Sequence, residues 1–200
     1  MEVLKPSKLN QLNNFIDGWY INPKVCDDLI TYFENSPNKA PGISYNIANN
    51  EPEITKNKIS TDIGIVISNV DEAVNNYRFE LFQVLEKYKK KYIYCDTNQE
   101  PWSISEPFNI QKYKPQEGFL TYHCERCSDK GQMKSRHLVF MTYLNDITDG
   151  GETEFFYQKL KIKPEKGLTL IWGADWTFTH RGVTSPTQTK YIVTGWFNYT

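Results

Sequence analysis

The amino-acid sequence predicts a mainly β protein of the α+β class, a sandwich or barrel of short strands with helices packed on one face. Three observations carry this. From about residue 105 to 200 the chain is a series of short apolar runs split by Gly, Pro, Asn and Asp, the spacing of a two-layered or closed β structure. Ahead of these runs lie two stretches whose apolar residues recur at helical intervals, and helices that precede a block of strands pack on the sheet they adjoin. The aromatic content, 13 Tyr, 11 Phe and 5 Trp in 200 residues, suits a sheet-built core or a lined pocket. A chain of this length is read as one domain, 1–200, with a support region over 1–104 and a β-core over 105–200.

Residues 1–21 read as a short strand or coil whose apolar part is Asn14-Phe15-Ile16. Asn22-Pro23 then opens a helix, with Asn as cap and Pro in a first-turn position where its missing N–H is no loss. Val25, Leu29, Tyr32 and Phe33 share one face, and Ser36-Pro37 ends the helix. Residues 38–60, polar and broken by Pro41, Gly42 and Pro52, are expected to form a long loop of the kind that serves as a lid. Ile63, Ile65 and Ile67 alternate as in a strand. A second helix is expected from about Asn69, with Glu72 completing a capping box. Val74, Tyr77, Leu81, Leu85 and Tyr88 form its apolar stripe. The run from Glu86 to Lys91 reads as a solvated helix end, where the dipole favours cations, rather than as a nucleic-acid patch. The predicted strands that follow are Phe108–Tyr113, Phe119–Tyr122, His137–Leu144, Glu154–Tyr157, Leu168–Trp172 and Tyr191–Tyr199.

Charge excludes some partners. With 23 basic against 24 acidic residues the formal net charge is -1, so no global field favours nucleic acid or an anionic membrane. No apolar run is long enough to span a bilayer. The first residues lack the pattern of a secretion signal. Four cysteines at irregular spacing do not make a disulfide framework, and a cytoplasmic location is expected.

The chemistry centres on Tyr122-His123-Cys124-Glu125, at the expected end of a strand. Alternating side chains put His123 and Glu125 on one face. A histidine and a carboxylate so placed supply two ligands of a non-haem Fe(II) facial triad, which needs a second histidine and open positions. His180, closing the run Thr177-Phe178-Thr179-His180, is the candidate. Lys190, ten residues later at the start of the last strand, is a cation that could hold the far carboxylate of a 2-oxoglutarate co-substrate.

These pieces stand in the order of a known family. Ile110-Gln111-Lys112-Tyr113, His123-x-Glu125, the run Arg136 to Asn145, Asp149-Gly150-Gly151-Glu152-Thr153-Glu154-Phe155, Pro164 to Leu168, and His180 through Lys190 to Trp196 resemble the prolyl 4-hydroxylase-like branch of the Fe(II)/2-oxoglutarate dioxygenases. The resemblance covers about half the chain. It implies a double-stranded β-helix core (jelly-roll or cupin-like), with the N-terminal helices packed on one face. It also implies Fe(II) held by His123, Glu125 and His180, and 2-oxoglutarate anchored by Lys190 and lined by Tyr113, Tyr143, Thr194 and Trp196. O2 would be the oxidant and ascorbate a supporting reductant. The activity implied is hydroxylation of a prolyl or similar residue of a protein or peptide, with release of succinate and CO2.

One position departs from the family pattern, which usually has Asp where this chain has Glu125. Glutamate keeps an anionic oxygen donor, so metal binding and hydroxylation remain expected, with a longer side chain to place. The same chemistry on an amino acid, a small molecule or a methylated nucleic acid is the alternative. The nucleic-acid oxygenases add an Arg shortly after the anchor, and none follows Lys190. A non-catalytic β-barrel binding module is the reading from a different class. Cys124-x-x-Cys127 has no second Cys/His pair to make a zinc site, and Cys124 is expected to point away from the metal. His137 is read as structural. Arg136 and Arg181 flank the site and could meet substrate or Glu side chains. The loops 38–60, 92–106 and 126–135 are expected to shape substrate choice.

Overall fold

A computed structural model of the chain describes residues 5–7, 14–45, 52–97 and 100–200. In chain order its first half supplies β1 (Lys5–Pro6), β2 (Asp17–Tyr20), α1 (Pro23–Asn35), β3 (Ala40–Pro41), β4 (Ser44–Tyr45), β5 (Pro52–Glu53), β6 (Thr61–Ile65) and α2 (Glu72–Lys91). The second half supplies β7 (Trp102–Ser103), β8 (Phe108–Tyr113), β9 (Arg136–Tyr143), β10 (Thr153–Phe155), β11 (Leu160–Ile162), β12 (Leu168–Gly173), β13 (His180–Gly182) and β14 (Lys190–Tyr199). A nine-stranded sheet runs β1-β2-β12-β9-β14-β8-β6-β3, with β7 pairing β14 off that path; β11-β10-β13 form a second sheet, and β4 pairs β5. All the pairings are antiparallel.

Side-chain alternation along β9 shows how the layers stack. Leu138 and Phe140 pack with Leu29 and Phe33 of α1 and Tyr77 and Leu81 of α2. The intervening Val139, Met141 and Tyr143 face the other way, toward Phe155 of β10, Ile162 of β11 and the β12 residues Leu170 and Trp172. The large sheet is therefore buried on both faces, by helices on one and by the small sheet on the other, which is why its central strands read as nearly continuous apolar runs. Gly195 is fixed by this packing: a Cβ there would lie 2.5 Å from the Cβ of Phe108 and overlap the Phe140 ring.

The helices form for the expected reasons, with one change. Asn22 Oδ1 accepts from Lys24 N at 2.9 Å and caps α1, whose chain leaves the helix at Ser36. Helix α2 is capped by Asp71, which accepts from Ala73 N at 2.9 Å. The capping box expected from Asn69 does not form. Asn69 sits outside the helix and accepts from Asp71 N instead, leaving Glu72 in the first turn, where its charge suits the dipole. The hydroxyl of Tyr77 pairs with that of Thr142 at 3.0 Å and ties α2 to β9.

Several strand boundaries differ from expectation. Ile67 is exposed in a turn, because β6 stops where its pairing runs out, at Ile65 opposite Phe108. Phe119–Tyr122 is not a strand: Phe119 bridges Lys58 and His123 bridges His180, two isolated contacts with different partners. The expected strand Glu154–Tyr157 is shifted to Thr153–Phe155, and Leu160–Ile162 pairs back on it as an unforeseen strand. Thr177–His180 is not a run ending in histidine; Trp176–Phe178 is a 3-10 turn and His180 opens β13. The supposed loop 38–60 holds β3, β4 and β5, and its centre, 46–51, lies outside the described residues. Within 92–106 there are a 3-10 turn, Ile93–Asp96, and β7, while 98 and 99 lie outside. In the lead-in, 1–4 and 8–13 lie outside, and the rest includes β1 and β2. Among the described residues no helix is long and apolar enough to cross a membrane.

Candidate metal centre

His123 and His180 face each other as one isolated rung of antiparallel pairing. His123 N donates to His180 O and His180 N to His123 O, both at 2.9 Å. Residues directly opposite on antiparallel chains share a face, so the two imidazoles meet, with ring centroids 4.5 Å apart. Each ring is oriented by its own backbone: Nδ1 of His123 bonds Thr121 O and Nδ1 of His180 bonds Phe178 O, both at 2.9 Å. A carbonyl only accepts, so both Nδ1 atoms carry the proton and both Nε2 atoms present a lone pair. Burial, then the neighbouring His123, pushes His180 down to about 4, so its ring is neutral at physiological pH.

Glu125, two residues past His123, turns into the same space. Its Oε1 lies 3.5 Å from His123 Nε2 and 3.6 Å from His180 Nε2. One ligand atom from each of the three residues falls within 4.8 Å of the others. Burial opposes the charge of Glu125, but His123, Arg136 and His180 around it outweigh burial and hold the carboxyl well below the usual carboxylate range. Two imidazole lone pairs and an ionised carboxylate fit a divalent transition metal. The second oxygen, Oε2, accepts from Trp196 Nε1 at 2.9 Å and from Arg136 Nη1 at 3.3 Å. Arg136 is itself held by Glu106, Nε to Oε1 and Nη2 to Oε2, both at 2.9 Å.

The remaining sequence-predicted residues lie along the same face of the large sheet. Lys190, Ile192, Thr194 and Trp196 are alternate residues of β14, so Trp196 marks the Glu125 end and Lys190 the other. Lys190 is opposite Tyr113 in register, with Nζ 5.1 Å from the Tyr113 ring. It is buried and donates to Gly151 O at 2.9 Å and Val183 O at 3.5 Å, and no carboxylate among the described residues pairs with it. Gly151 can present its carbonyl there because it and Gly150 take φ of +75° and +96°, which side chains resist. Burial pulls Lys190 down to about 8. A buried cation with no carboxylate in contact, only the longer-range attraction of Glu152, is the complement of an anionic ligand, which fits the distal carboxylate of 2-oxoglutarate. Tyr113 donates to Gln111 Oε1 at 2.7 Å, and Tyr143 to Thr153 Oγ1 at 2.6 Å.

Other residues meet the site without having been singled out. Phe119 stacks on His123, centroids 3.8 Å apart and planes within 14°. Phe155 and Trp172 pack on His180. The described part of 38–60 reaches this region through Leu120 N to Asn57 O at 2.7 Å and Ile59 N to Gly118 O at 3.0 Å. Glu106 gave no sequence signal, since its partner lies thirty residues away. Cys124 meets Cys127 rather than the triad. His137 has both nitrogens engaged, by Cys95 O at 2.7 Å and Tyr199 at 3.1 Å, as a structural histidine would. Arg181 pairs with Glu154 at 2.7 Å and lies over Tyr122.

Comparison with known proteins agrees with this geometry. Residues 108–198 match the family model of the 2OG-Fe(II) oxygenase superfamily. No curated protein matches the chain. Solved structures with this fold include a viral collagen prolyl hydroxylase from Paramecium bursaria Chlorella virus-1, as its 2OG complex: 17% identity, TM-score 0.65, covering 93% of this chain and 97% of that one. A Pseudomonas putida prolyl-4-hydroxylase matches at 14% identity and TM-score 0.64, over 96% and 95% of the two chains. A Trichoplax adhaerens prolyl hydroxylase, in complex with a hypoxia inducible factor oxygen degradation domain peptide fragment, matches at 16% and 0.66, over 96% and 86%. The fold is the double-stranded β-helix expected.

Proposed function

We propose, from the match of residues 108–198 to the 2OG-Fe(II) oxygenase superfamily model, that this chain is an oxygenase that hydroxylates a prolyl or similar residue of a protein or peptide, releasing succinate and CO2. His123, Glu125 and His180 hold the Fe(II) in this reading, and Lys190 holds the distal carboxylate of 2-oxoglutarate. Bound iron with 2-oxoglutarate and O2 supplies the oxidising power to place oxygen in a C–H bond. The chain contributes orientation. The backbone-bonded Nδ1–H groups aim both imidazoles, Glu125 offers Oε1, and the apolar packing of Phe119, Phe155 and Trp172 on the histidines limits water.

The observation that carries the peptide reading is a row of aromatic rings beside the ligands. Tyr122 adjoins His123, Phe156 meets Tyr122 at 5.1 Å, Tyr157 meets Phe156 at 5.2 Å, and Trp176 meets Tyr157 at 5.7 Å. Phe156, Tyr157 and Trp176 are more than half exposed, at 54%, 56% and 63%. Exposed apolar patches mark interaction surfaces, and aromatic-lined grooves accept proline-rich extended peptides. The cysteines found, Cys26, Cys95, Cys124 and Cys127, are all free thiols, which supports a cytoplasmic setting.

The test is conversion of 2-oxoglutarate to succinate with Fe(II), screened over proline-containing peptides with His180→Ala as control. A gain of one oxygen on a prolyl residue, absent in the control, is expected. Turnover on non-prolyl substrates with none on prolyl peptides removes the prolyl assignment. Absence of both iron binding and 2-oxoglutarate turnover removes the enzyme reading.

A further inference from the structure

We infer that Trp196 and Arg136 are positioning residues that fix which oxygen of Glu125 faces the metal, and that this clamp lets a glutamate stand where the family pattern has aspartate. The inference rests on the metal reading of His123, Glu125 and His180. Glutamate has one more rotatable bond than aspartate, so an unrestrained Glu125 could swing away or engage a metal through both oxygens. Here Oε2 is taken by Trp196 Nε1 at 2.9 Å and Arg136 Nη1 at 3.3 Å, while Oε1 faces the two Nε2 atoms. Arg136 Nη1 also bonds the main-chain oxygen of Glu125 at 3.1 Å, so one guanidinium grips both ends of the residue.

The clamp is itself immobilised. The Arg136 guanidinium carbon lies 3.5 Å from the centroid of the Trp196 ring. Glu106 takes two hydrogen bonds from Arg136 and a third from Asn198 Nδ2 at 3.1 Å. Arg136, Glu106 and Asn198 are 6%, 4% and 1% exposed, so charged and polar groups hold one another in a place from which water is excluded. With Oε2 committed to the protein, Glu125 offers a metal one oxygen. That leaves vacant the position a two-oxygen carboxylate would take, and an oxygenase needs open positions for its co-substrate and oxygen.

Co(II) titration of the metal-free protein, read by its visible absorption, tests this without turnover. Trp196→Phe keeps the ring and removes the N–H; it is expected to weaken Co(II) binding by about 10-fold or more, the usual size of an outer-shell effect, and to change the band shape as Oε2 is released. In a Glu125→Ala background the same substitution is expected to change Kd by less than about 2-fold, because its target is gone. Arg136→Lys keeps the charge, loses the fork, and is expected to behave likewise in both backgrounds; it decides the matter if Trp196→Phe unfolds, as judged by circular dichroism. Affinity and spectrum within about 2-fold of wild type, or an equal loss with and without Glu125, overturns the positioning role. A wild-type protein that binds no Co(II) overturns the metal reading itself.

Discussion

Replacing Lys190 by Met should make the metal-free protein more stable and its co-substrate binding worse. The side chain is 4% exposed and has carbonyl partners only. Burial, opposed only by the attraction of Glu152, pulls it from 10.5 to about 8, which at 1.36 kcal/mol per pH unit is about 3 kcal/mol of net charge burial. Methionine fills similar space but leaves the carbonyls of Gly151 and Val183 without a donor, costing roughly 1–2 kcal/mol. Lys190→Met is therefore expected to raise the unfolding free energy by about 1–2 kcal/mol in urea at pH 7. A base whose folded value is depressed binds fewer protons folded than unfolded between pH 8 and 10.5. Wild-type stability should thus rise across that window relative to the variant, and the order of the two should reverse: above it the wild type, its amine neutral but still donating to the carbonyls, should be the more stable by about 1–2 kcal/mol. The same substitution removes a charge-assisted bond to a carboxylate, worth roughly 1.5–3 kcal/mol, or about 10- to 100-fold in the Kd for 2-oxoglutarate measured calorimetrically with Mn(II). A variant that is less stable at pH 7, or that binds 2-oxoglutarate as wild type does, refutes the assignment of Lys190 as an anion seat kept at a cost in stability.

Three further outcomes test the frame around the site. Glu106→Gln leaves a buried guanidinium without its bidentate partner and should lower stability by roughly 2–4 kcal/mol in chemical denaturation; a loss below 1 kcal/mol would mean that Arg136 is held by Glu125 alone. Gly195→Ala forces a methyl against Phe108 and Phe140 and should cost about 1–3 kcal/mol, read as a lowered Tm, while Co(II) affinity stays unchanged. Tyr113→Phe removes the donor to Gln111 Oε1; about 1 kcal/mol of stability should be lost, and an unchanged midpoint would show that Gln111 finds another partner.

The legible parts of this chain were those governed by neighbouring residues. Asn22-Pro23 marked a helix start because capping and proline geometry act within one turn, and Lys190 stood out as a cation at the start of the last strand, whereas Thr194 and Trp196 came only from the family resemblance. His123 and Glu125 were readable by a strand's period of two, even though the strand expected around them is only an isolated bridge. The clamp on Glu125 was not legible. Arg136 and Trp196 come together through the pairing of β9 with β14, they lie 11 and 71 positions from Glu125, and Glu106 joins Arg136 from a bend 30 positions away; nothing in the local pattern distinguishes Glu106 from a solvated carboxylate. The boundary at Ile65 was hidden for a similar reason: the strand stops where its neighbour does. Likewise His180 opens a strand because Phe155 lies opposite it, a fact carried by β10 and not by Thr177–Thr179.

The reciprocal bonds between His123 and His180 have a consequence for how such a site tolerates change. Two of the three donor atoms inherit their spacing from a single rung of main chain, which is indifferent to side-chain identity and remains when no ion is bound. Glu125 alone stands off that rung. Variation in the carboxylate, in length or in its hydrogen-bond partners, can be sampled while the imidazole pair keeps its separation, so the histidines form the constant part of the ligand set and the acid its adjustable arm.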